Sequence, residues 1–462
     1  MKTTRKIFGL ILGIIPLFMY AQTKPVKVSP VVNWNQVVGK LTSDHWGLNN
    51  QGGKGFSAPD EKLADYFRQV QPGVVRIMAG IPNRWINAST RTWDTLKIKA
   101  ELDNVRHIHR YSQRVMACLY DPPLFVNGGK APLLNEAQED STAAFLAQLP
   151  SVVKATGHYI DLYEFFNEKE PAYGALGGNS GNSGGMGADL PAYWRTLNKI
   201  AKALKAADPT IKVGGPATAF PYENVYKGFI DNCADNMDFF SFHDYMTGNP
   251  GTTADRDMFN DFYASRLLPI AALTAYAKSK GKTHLEFYLD EWQVSWEWKK
   301  YEPLHDNHVG ASWMACFIKY CVLNGITNMN VWDFGFHPNA ATFLLYSRFS
   351  PYLRGNIVQS SNTGGKIELI PVISDEGKRS ILFINRTGEK IRITGAKKLT
   401  GGKASTVKAF RLDETTLQNP EAANTANVIY SIDSIDGVSS DLILNPYGMV
   451  LLTNDIKKIN QE

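Results

Sequence analysis

The sequence predicts an α/β protein, a (β/α)8 TIM barrel with an attached all-β sandwich domain. Between residues 41 and 350, short apolar runs alternate with segments whose apolar residues recur at helical spacing, as in a barrel of parallel strands. After residue 350 the pattern changes to short strand-like runs separated by turn residues, which is typical of a sandwich. A chain of 462 residues has room for both domains.

The composition is that of a globular protein and gives no reason to expect a nucleic-acid partner. Apolar residues make up 44% of the sequence, charged residues make up 20%, and the formal net charge is +5, all ordinary values. Lys2, Arg5 and Lys6 lie in the N-terminal segment, and the other positive charges are scattered along the chain. Nucleic-acid binding requires clustered positive charge, so we do not expect it.

The N-terminal segment, residues 1–21, has the three parts of a secretory signal peptide. A basic head precedes the apolar run Ile7–Met19, and the small residue Ala21 ends the segment. The run is shorter than the ~20 residues that a membrane-spanning helix needs, so cleavage is favoured over an uncleaved anchor. We therefore expect cleavage near Ala21, export to the periplasm or the extracellular space, and no membrane span in the mature chain.

Residues 41–350 contain eight strand-like runs with helical segments between them, which predicts the complete barrel. The runs are Leu41–Leu48, Val74–Met78, Val115–Tyr120, Ile160–Glu168, Ile211–Gly215, Met237–Phe242, Leu285–Trp292 and Thr327–Val331.

Residues 351–462 predict the β-sandwich. The strand-like runs there are Lys366–Val372, Arg379–Asn385, Ile391–Gly395, Ser405–Arg411, Val428–Ile432 and Tyr447–Thr453. The lead-in at residues 22–40 is also strand-like and falls outside the barrel. We expect it to pair with the C-terminal sheet, so that both chain ends belong to one domain.

Two predicted barrel strands end in a carboxylate, the fourth in Asn167-Glu168 and the seventh in Glu291. Active sites of this fold lie at the C-terminal ends of the strands. Two carboxyl groups in different environments supply the proton and the negative charge that cleavage of a glycosidic bond requires. Glu168 and Glu291 are therefore the candidate catalytic residues.

Three nearby carboxylates compete with this assignment. Glu164 and Glu170 flank Glu168 and are alternative acids or ion-pair partners, although Glu170 lies beyond the predicted strand. Asp290 precedes Glu291, and strand alternation predicts that their side chains point to opposite sides.

Further side chains near strand ends are candidates for substrate binding. Arg76 lies inside an apolar strand, where a charge requires a carboxylate partner. His243 and Tyr245 follow the sixth strand, and each is either a site residue or a structural one. Aromatic faces pack on sugar rings, and the tryptophans that we select for this role are Trp46, Trp292, Trp296 and Trp332.

We expect no metal and no cofactor. Four cysteines are too few for a disulfide framework, and no Cys/His group has zinc spacing. The glycine-rich segment 174–189 lacks the Gly-Lys-Ser/Thr ending of a phosphate-binding loop. A flap over a carbohydrate cleft is the favoured interpretation of that segment.

Asn167-Glu168 on the fourth strand and Glu291 on the seventh resemble the active-site residues of glycoside hydrolase clan A, the retaining (β/α)8 enzymes. A barrel with a sandwich built from both chain ends is similar to families 39, 30 and 79, and the segment 239–245, Phe-Phe-Ser-Phe-His-Asp-Tyr, resembles family 39 most. One departure from the pattern is that Asn-Glu is followed by Lys169-Glu170-Pro171 instead of directly by proline.

The resemblance implies a secreted retaining β-glycoside hydrolase that acts on a poly- or oligosaccharide, with Glu168 as acid/base and Glu291 as nucleophile. It further implies that Asn167 binds the sugar 2-hydroxyl, that Arg76 supports the nucleophile, and that Trp332 is a sugar platform. His243 and Tyr245 match the His or Tyr of strand six. A transglycosylase, a non-catalytic carbohydrate-binding barrel and a zinc- or calcium-dependent lyase are the alternatives.

Overall fold

The computed structural model describes residues 24–455 except 51–63, 65–67, 79, 109, 111, 129–133, 174–189, 248–254, 261–265, 297–302, 306, 333–340, 402–406 and 418–440. The predicted signal peptide, the glycine-rich segment and the predicted strand Val428–Ile432 lie outside the described residues.

Nineteen strands are described. In chain order they are β1 Val26–Val28, β2 Val31–Leu41, β3 Gly47–Asn50, β4 Val74–Ile77, β5 Ile86–Asn87, β6 Thr92–Trp93, β7 Arg114–Leu119, β8 Leu162–Phe165, β9 Lys212–Thr218, β10 Phe239–Thr247, β11 Glu286–Ser295, β12 Asn328–Val331, β13 Gly355–Ser361, β14 Ile367–Ile373, β15 Arg379–Asn385, β16 Ile391–Ile393, β17 Lys408–Leu412, β18 Leu442–Leu444 and β19 Met449–Thr453.

The barrel is a closed ring of eight strands in the order β3, β4, β7, β8, β9, β10, β11 and β12. Every neighbouring pair is parallel, including the closing pair of β12 with β3. The predicted fold class, a TIM barrel with additional β structure, is confirmed.

The first barrel strand begins later than the sequence pattern predicts. Residues Ser43–Trp46 form a 3-10 helix instead of a strand, and β3 starts at Gly47. Thr42 caps this helix, since its hydroxyl accepts a hydrogen bond from the Asp44 backbone and its backbone N–H donates to the His45 ring. Local capping thus overrides the strand predicted for Leu41–Leu48.

Helices lie between the barrel strands. The longer ones are Thr95–Ile108, Glu136–Leu146, Leu149–Ala155, Pro191–Ala207, Glu223–Asn232, Asp255–Asn260, Leu268–Ser279 and His308–Leu323. Short helical turns are Ser43–Trp46, Asn83–Trp85, Leu124–Asn127, Glu170–Tyr173, Pro303–His305, Ala341–Leu344, Leu345–Phe349, Ser350–Tyr352, Ala396–Leu399 and Glu414–Leu417. Among the described residues, no helix is both long and apolar enough to cross a membrane.

The second domain consists of two sheets. A six-stranded sheet has the order β17, β19, β15, β14, β13 and β2, and a three-stranded sheet has the order β1, β16 and β18. The N-terminal strands β1 and β2 pair with β16 and β13, so each contributes to one of the two sheets. Both chain ends therefore help to build this domain.

Alternation along the strands of the six-stranded sheet explains its position between two cores. On β15, Ile381 and Phe383 pack in a core shared with the three-stranded sheet, whereas Leu382 and Ile384 pack in the large core that includes the barrel. Successive side chains of a strand point to opposite faces, so one sheet joins the small sheet to the barrel.

An apolar layer fills the barrel near the start of five of its strands, and it consists of Val74, Met116, Leu162, Phe239 and Tyr288. Two residues farther along the same strands, the next inward layer is Arg76, Cys118, Glu164, Ser241 and Asp290, all buried. Because every second side chain of a strand points to the same face, the apolar layer predicts which polar side chains lie inside the barrel beneath its C-terminal mouth.

A buried ion pair joins the two domains. Lys319 of the helix His308–Leu323 contacts the Glu368 carboxylate of β14 and donates to Leu369 O at 2.7 Å, while Tyr320 donates to Glu368 at 2.5 Å. The Lys319 and Glu368 side chains are only 9% and 7% exposed. Removing one partner would leave a desolvated charge without compensation.

We expect Glu368→Ala to lower the free energy of unfolding by ~3–5 kcal/mol, because Lys319 would remain buried and unpaired. Urea denaturation followed by fluorescence measures the change. Lys366→Ala is the matched control, since it breaks an exposed pair with Glu389 and such pairs contribute about 0–1 kcal/mol. Equal midpoints for the two variants would contradict a stabilising role for the buried pair.

Candidate active site

A cavity of ≈ 730 Å³ opens at the C-terminal mouth of the barrel. Its lining residues are Met78, Tyr120, Asn167, Glu168, Ala219, Phe220, Tyr222, Tyr245, Arg266, Glu291, Trp296 and Trp332. Both candidate catalytic glutamates therefore face the same cavity, as do Asn167 and Tyr245 of the predicted binding residues.

Glu168 lies three residues beyond the end of β8, on a backbone that projects into the mouth. Its φ of 52° is in the left-handed region, and its N–H donates to Ala217 O at 3.0 Å. For a residue with a Cβ this conformation costs ~1–3 kcal/mol, and such residues cluster at active sites. Its side chain is 43% exposed, so the carboxyl group reaches the open cavity.

Glu291 faces the cavity because the register of β11 shifts next to it. His243 of β10 pairs with Glu291, whereas the preceding residue of β10, Phe242, pairs with Leu289, so Asp290 is skipped. The side chain of Asp290 points into the barrel, as that of Tyr288 does two residues earlier. The register shift turns the side chain of Glu291 inward as well. The prediction that alternation separates these two side chains is wrong, because a β-bulge interrupts the alternation.

Arg76 is the charge centre beneath the cavity. Its Nε donates to Glu164 at 2.7 Å and lies 3.1 Å from Asp290. The Nη1 group lies 3.3 Å from Glu291, and Nη2 donates to Asn167 Oδ1 at 2.7 Å. The Arg76 side chain is fully buried, so these carboxylates compensate the cost of burying its charge.

His243 bridges the two candidate glutamates. Its Nδ1 lies 2.7 Å from Glu168 Oε1, and its Nε2 lies 3.5 Å from Glu291 and 3.6 Å from Asp290. Burial alone would lower the pKa of His243, but the negative charges of Glu291 and Asp290 raise it well above its usual range. The carboxyl groups on both sides of His243 thus favour its protonated form.

The two glutamates have unlike environments and titrate together. Burial raises the pKa of Glu291 against the opposing effects of His243 and Arg76. Burial acts on Glu168 in the same sense, but its hydrogen bond with His243 lowers the pKa overall. Because both carboxyl groups contact the same imidazole, their titrations are coupled, and each pKa describes the pair of glutamates and not one residue. Tyr245 remains protonated, since burial raises its pKa, and donates to Glu291 at 2.7 Å.

The competing carboxylates do not reach the cavity. Glu164 is fully buried against Arg76. Glu170 is 1% exposed and accepts hydrogen bonds from the Thr218 hydroxyl at 2.7 Å and the Ala219 N–H at 2.9 Å. Neither carboxylate belongs to the cavity lining. The hydrogen bonds of Glu170 instead connect the segment after Glu168 with the end of β9.

Two of the four selected tryptophans line the cavity and two do not. Trp296, 49% exposed, and Trp332 are lining residues. Trp46 packs edge-on against Tyr346, and Trp292 packs against Phe317 of a surrounding helix; both are almost completely buried. The sugar-stacking role predicted for Trp46 and Trp292 is wrong, and for Trp292 the reason is the bulge that turns Glu291 inward.

Six cavity residues were not selected from the sequence, namely Met78, Tyr120, Ala219, Phe220, Tyr222 and Arg266. Tyr120 directly follows β7, and Phe220 and Tyr222 follow β9, so an aromatic residue just after a barrel strand was the available signal. Arg266 lies far from any strand end and is held by Asp244 at 3.2 Å. Its position depends on tertiary packing alone.

One group of side chains in the described part of the chain has metal-ligand atoms close together. It consists of Glu168, His243 and Glu291, whose ligand atoms lie within 4.8 Å of one another. Tyr245 and Arg76 already donate to the two Glu291 oxygens, so a cation bound there would compete with both donors. The expectation that no metal is needed stays a prediction.

Comparison with known proteins supports the resemblance at the family level. The family model described as glycosyl hydrolases family 39 matches residues 183–333, which include His243, Tyr245, Glu291 and Trp332. The predicted likeness to family 39 of clan A is confirmed by this match. None of the curated proteins compared with the chain matches it.

Solved structures share the fold over nearly the whole chain. A family 39 β-xylosidase from Caulobacter crescentus is 14% identical with a TM-score of 0.58, covering 92% of this chain and 99% of its own. A glucosidase from Croceicoccus marinus is 15% identical with a TM-score of 0.59, covering 93% and 99%. A family 86 protein in complex with neoagarooctaose is 12% identical with a TM-score of 0.61, covering 92% and 78%.

The positions of the tryptophans predict different effects on stability. We expect Trp292→Ala to lower the free energy of unfolding by ~3–5 kcal/mol, because it leaves a cavity in the core. Trp296→Ala is the matched control and should change it by less than ~0.5 kcal/mol, as an exposed position allows. Chemical denaturation measures both, and a small effect of Trp292→Ala would contradict its placement in the core.

Proposed function

We propose that the protein is an exported retaining β-glycoside hydrolase that cleaves a poly- or oligosaccharide by double displacement. The observation that carries the proposal is the spacing of the two glutamates, since a carboxyl oxygen of Glu168 and one of Glu291 lie within 4.8 Å. Retaining enzymes place their carboxyl groups ~5–5.5 Å apart, and inverting enzymes need ~6.5–9.5 Å to admit a water molecule.

The exposure and orientation of the two groups favour one assignment of roles, whereas their pKa directions without substrate, raised for Glu291 and lowered for Glu168, favour the reverse. Glu291 is 7% exposed and is oriented by Tyr245 and Arg76, as suits a nucleophile that must attack one carbon atom along a fixed line. Glu168 extends into the open cavity, where an acid/base must reach first the leaving oxygen and then a water molecule.

The reaction then has two steps. In the first, Glu168 gives its proton to the glycosidic oxygen while Glu291 forms a bond to the anomeric carbon and the leaving sugar departs. In the second, Glu168 takes a proton from water, whose oxygen attacks the same carbon and releases Glu291. His243 contacts both carboxyl groups, so a sugar that displaced its hydrogen bond to Glu168 would raise the pKa of Glu168 and favour the protonated acid.

The remaining cavity residues suit a sugar. Asn167 accepts from Arg76 through its oxygen, which leaves its amide nitrogen to donate to the 2-hydroxyl. Trp296, Trp332 and Tyr120 offer aromatic faces for pyranose rings. A structural relative described as a β-xylosidase supports a β-linked glycan, and one described in complex with neoagarooctaose supports an oligosaccharide substrate. The basic and apolar N-terminal segment supports export.

Three alternatives are distinguishable by experiment. A transglycosylase of the same fold would pass the glycosyl group to a sugar instead of water. A non-catalytic carbohydrate-binding barrel would bind glycans without turnover. A metal-dependent lyase would require an ion at Glu168, His243 and Glu291, and its activity would depend on that ion.

The mechanism predicts the behaviour of two variants. On aryl β-glycosides and a panel of plant and algal polysaccharides, Glu291→Gln should be inactive. Glu168→Gln should lose ~10²–10⁴-fold in kcat, the contribution of general acid/base catalysis. Azide should partly rescue Glu168→Gln on an activated substrate, because the glycosyl-enzyme then accepts an anion without a base.

Product anomers followed by NMR test the same proposal, and retained configuration is the expected result. Glu136→Gln, at an exposed helix position, is the control and should keep wild-type activity. Inverted product would contradict the double displacement, and glycan binding without turnover would favour the non-catalytic alternative.

We also expect that dialysis against a chelator leaves kcat/KM unchanged, because proton transfer and nucleophilic attack are carried out by side chains alone. Activity on the best substrate of the panel, measured before and after dialysis and after adding back Zn²⁺ or Ca²⁺, gives the answer. Loss of activity that is restored by one ion would favour the lyase alternative.

A further inference from the structure

We propose that Glu164 is a positioning residue that carries a proton in the active protein and shares it with Asp290, so that Arg76 and His243 remain available to Glu291. The inference deepens the proposed function and rests on it. Glu164 lies beneath the cavity and touches no substrate.

The first argument is that two carboxyl groups compete for one N–H. Arg76 Nε lies 2.7 Å from Glu164 Oε2 and 3.1 Å from Asp290 Oδ2, and all three side chains have zero exposure. A single Nε–H donates one strong hydrogen bond. Two ionised carboxylates side by side without water would repel each other strongly.

The second argument concerns buried oxygens. Glu164 Oε1 and Asp290 Oδ1 are buried and have no hydrogen-bond donor among the residues that the structure describes. Asp290 Oδ2 also has no donor in hydrogen-bonding geometry among these residues, and the two carboxyl groups approach each other at Arg76 Nε. A proton on one of them would replace the repulsion between the two groups by a hydrogen bond from an O–H donor to a carboxylate acceptor. Without that proton, each unpaired buried oxygen would cost free energy.

The third argument is the charge of the whole cluster. The titratable groups that face it from each surrounding strand are Arg76 of β4, Cys118 of β7, Glu164 and Glu168 near β8, His243 and Tyr245 of β10, and Asp290 and Glu291 of β11. Cys118 stays a thiol, because burial raises its pKa. Two cations therefore face four carboxyl groups.

Double displacement starts with Glu168 protonated and Glu291 ionised. If Glu164 is also protonated, Arg76 and His243 balance Asp290 and Glu291, and the buried cluster is neutral. If Glu164 is ionised, the cluster carries a net negative charge away from water, which is costly. The protonation state that the chemistry needs is thus the one with balanced charge.

The proton belongs on Glu164 because Asp290 has the stronger cationic surroundings. Asp290 faces both Arg76 and His243, and although burial raises its pKa, these two charges lower it overall. Glu164 contacts Arg76 but not His243 among the described ion pairs. Burial raises the pKa of Glu164 to about 8 against that one cation.

The protonated group has a consequence for the reaction. Arg76 also holds Glu291 through Nη1 and Asn167 through Nη2. A neutral Glu164 still accepts from Nε and orients the guanidinium, but it draws little of its positive charge away from the nucleophile. An ionised Glu164 would compete with Glu291 for that charge.

Infrared difference spectroscopy tests the proton without any substrate. We expect the wild type at pH 7 to show the carbonyl stretch of protonated carboxylic acids, and Glu164→Gln to lose the intensity of one such group, since the pair of Glu168 and Glu291 keeps its own proton. Glu139→Gln is the matched control: Glu139 is equally buried, but Arg195 and Thr196 donate to it. Hydrogen bonds from these groups lower its pKa against the effect of burial, so the band should persist.

The pH dependence of unfolding gives an independent readout. The pKa of Glu164 rises from 4.5 in the unfolded chain to about 8 in the folded protein. Its contribution to the stability of the protein is therefore lost as pH rises from 4.5 to about 8. The wild type should therefore become less stable relative to Glu164→Gln over that range. Glu139→Gln should show the opposite sign, with the wild type gaining stability as pH rises through the acid range.

Activity provides the third readout. Glu164→Ala should lower kcat/KM by ~10²-fold, as loss of an orienting contact does, and Glu164→Gln should restore most of that loss because an amide keeps both the donor and the acceptor. Above about pH 8 the wild type should lose activity more steeply than Glu164→Gln, since it then loses the additional proton of Glu164.

Three outcomes would overturn the proposal. Infrared intensity that is kept in Glu164→Gln but lost in Asp290→Asn would place the proton on Asp290. Intensity that is unchanged in both variants would mean that both groups are ionised. A Glu164→Gln variant as impaired as Glu164→Ala would show that charge at this position is required. The infrared and unfolding results stand whether or not the protein hydrolyses a glycan, so failure of the proposed function is distinguishable.

Discussion

The burial of one guanidinium group inside the barrel is the constraint on which the site depends. Arg76 is fully buried, and its nitrogens contact side chains from the first, third, fourth and seventh barrel strands, namely Asn49, Cys118, Glu164 and Asp290. A buried cation without partners would cost many kcal/mol. Closing the barrel therefore brings the carboxylates around it, and Glu291 and Asn167 are oriented by the same group.

The second constraint is the register shift in β11. Regular alternation directs Asp290 into the barrel, and the bulge adds Glu291 to the same side and turns Trp292 outward against Phe317. One extra residue thus creates a pair of adjacent inward carboxylates, of which the upper faces the cavity and the lower faces Arg76. Bulges commonly redirect side chains next to active sites in this way.

Much of the fold and part of the candidate site could be predicted from the sequence. Barrel strands such as β4 and β12 differ from their predicted ranges by one residue, because buried parallel strands are short apolar runs bounded by turns. Glu168 and Glu291 were selected because each carboxylate ends such a run at the expected mouth of the barrel, and Arg76 because a charge inside an apolar strand requires a carboxylate partner. The start of β3 was predicted too early, since the cap at Thr42 depends on a local hydrogen bond that competes with the strand pattern.

The chain by itself determined the alternation of strands and helices and the types of residue at the strand ends. These features follow from period and local chemistry, which are encoded in neighbouring positions. Only the tertiary structure decided which aromatic residues face the cavity, where Arg266 lies, and that Glu164 and Asp290 meet at one N–H of Arg76. Such contacts join segments that are far apart in the chain, and they depend on barrel closure and on a bulge that no local pattern records.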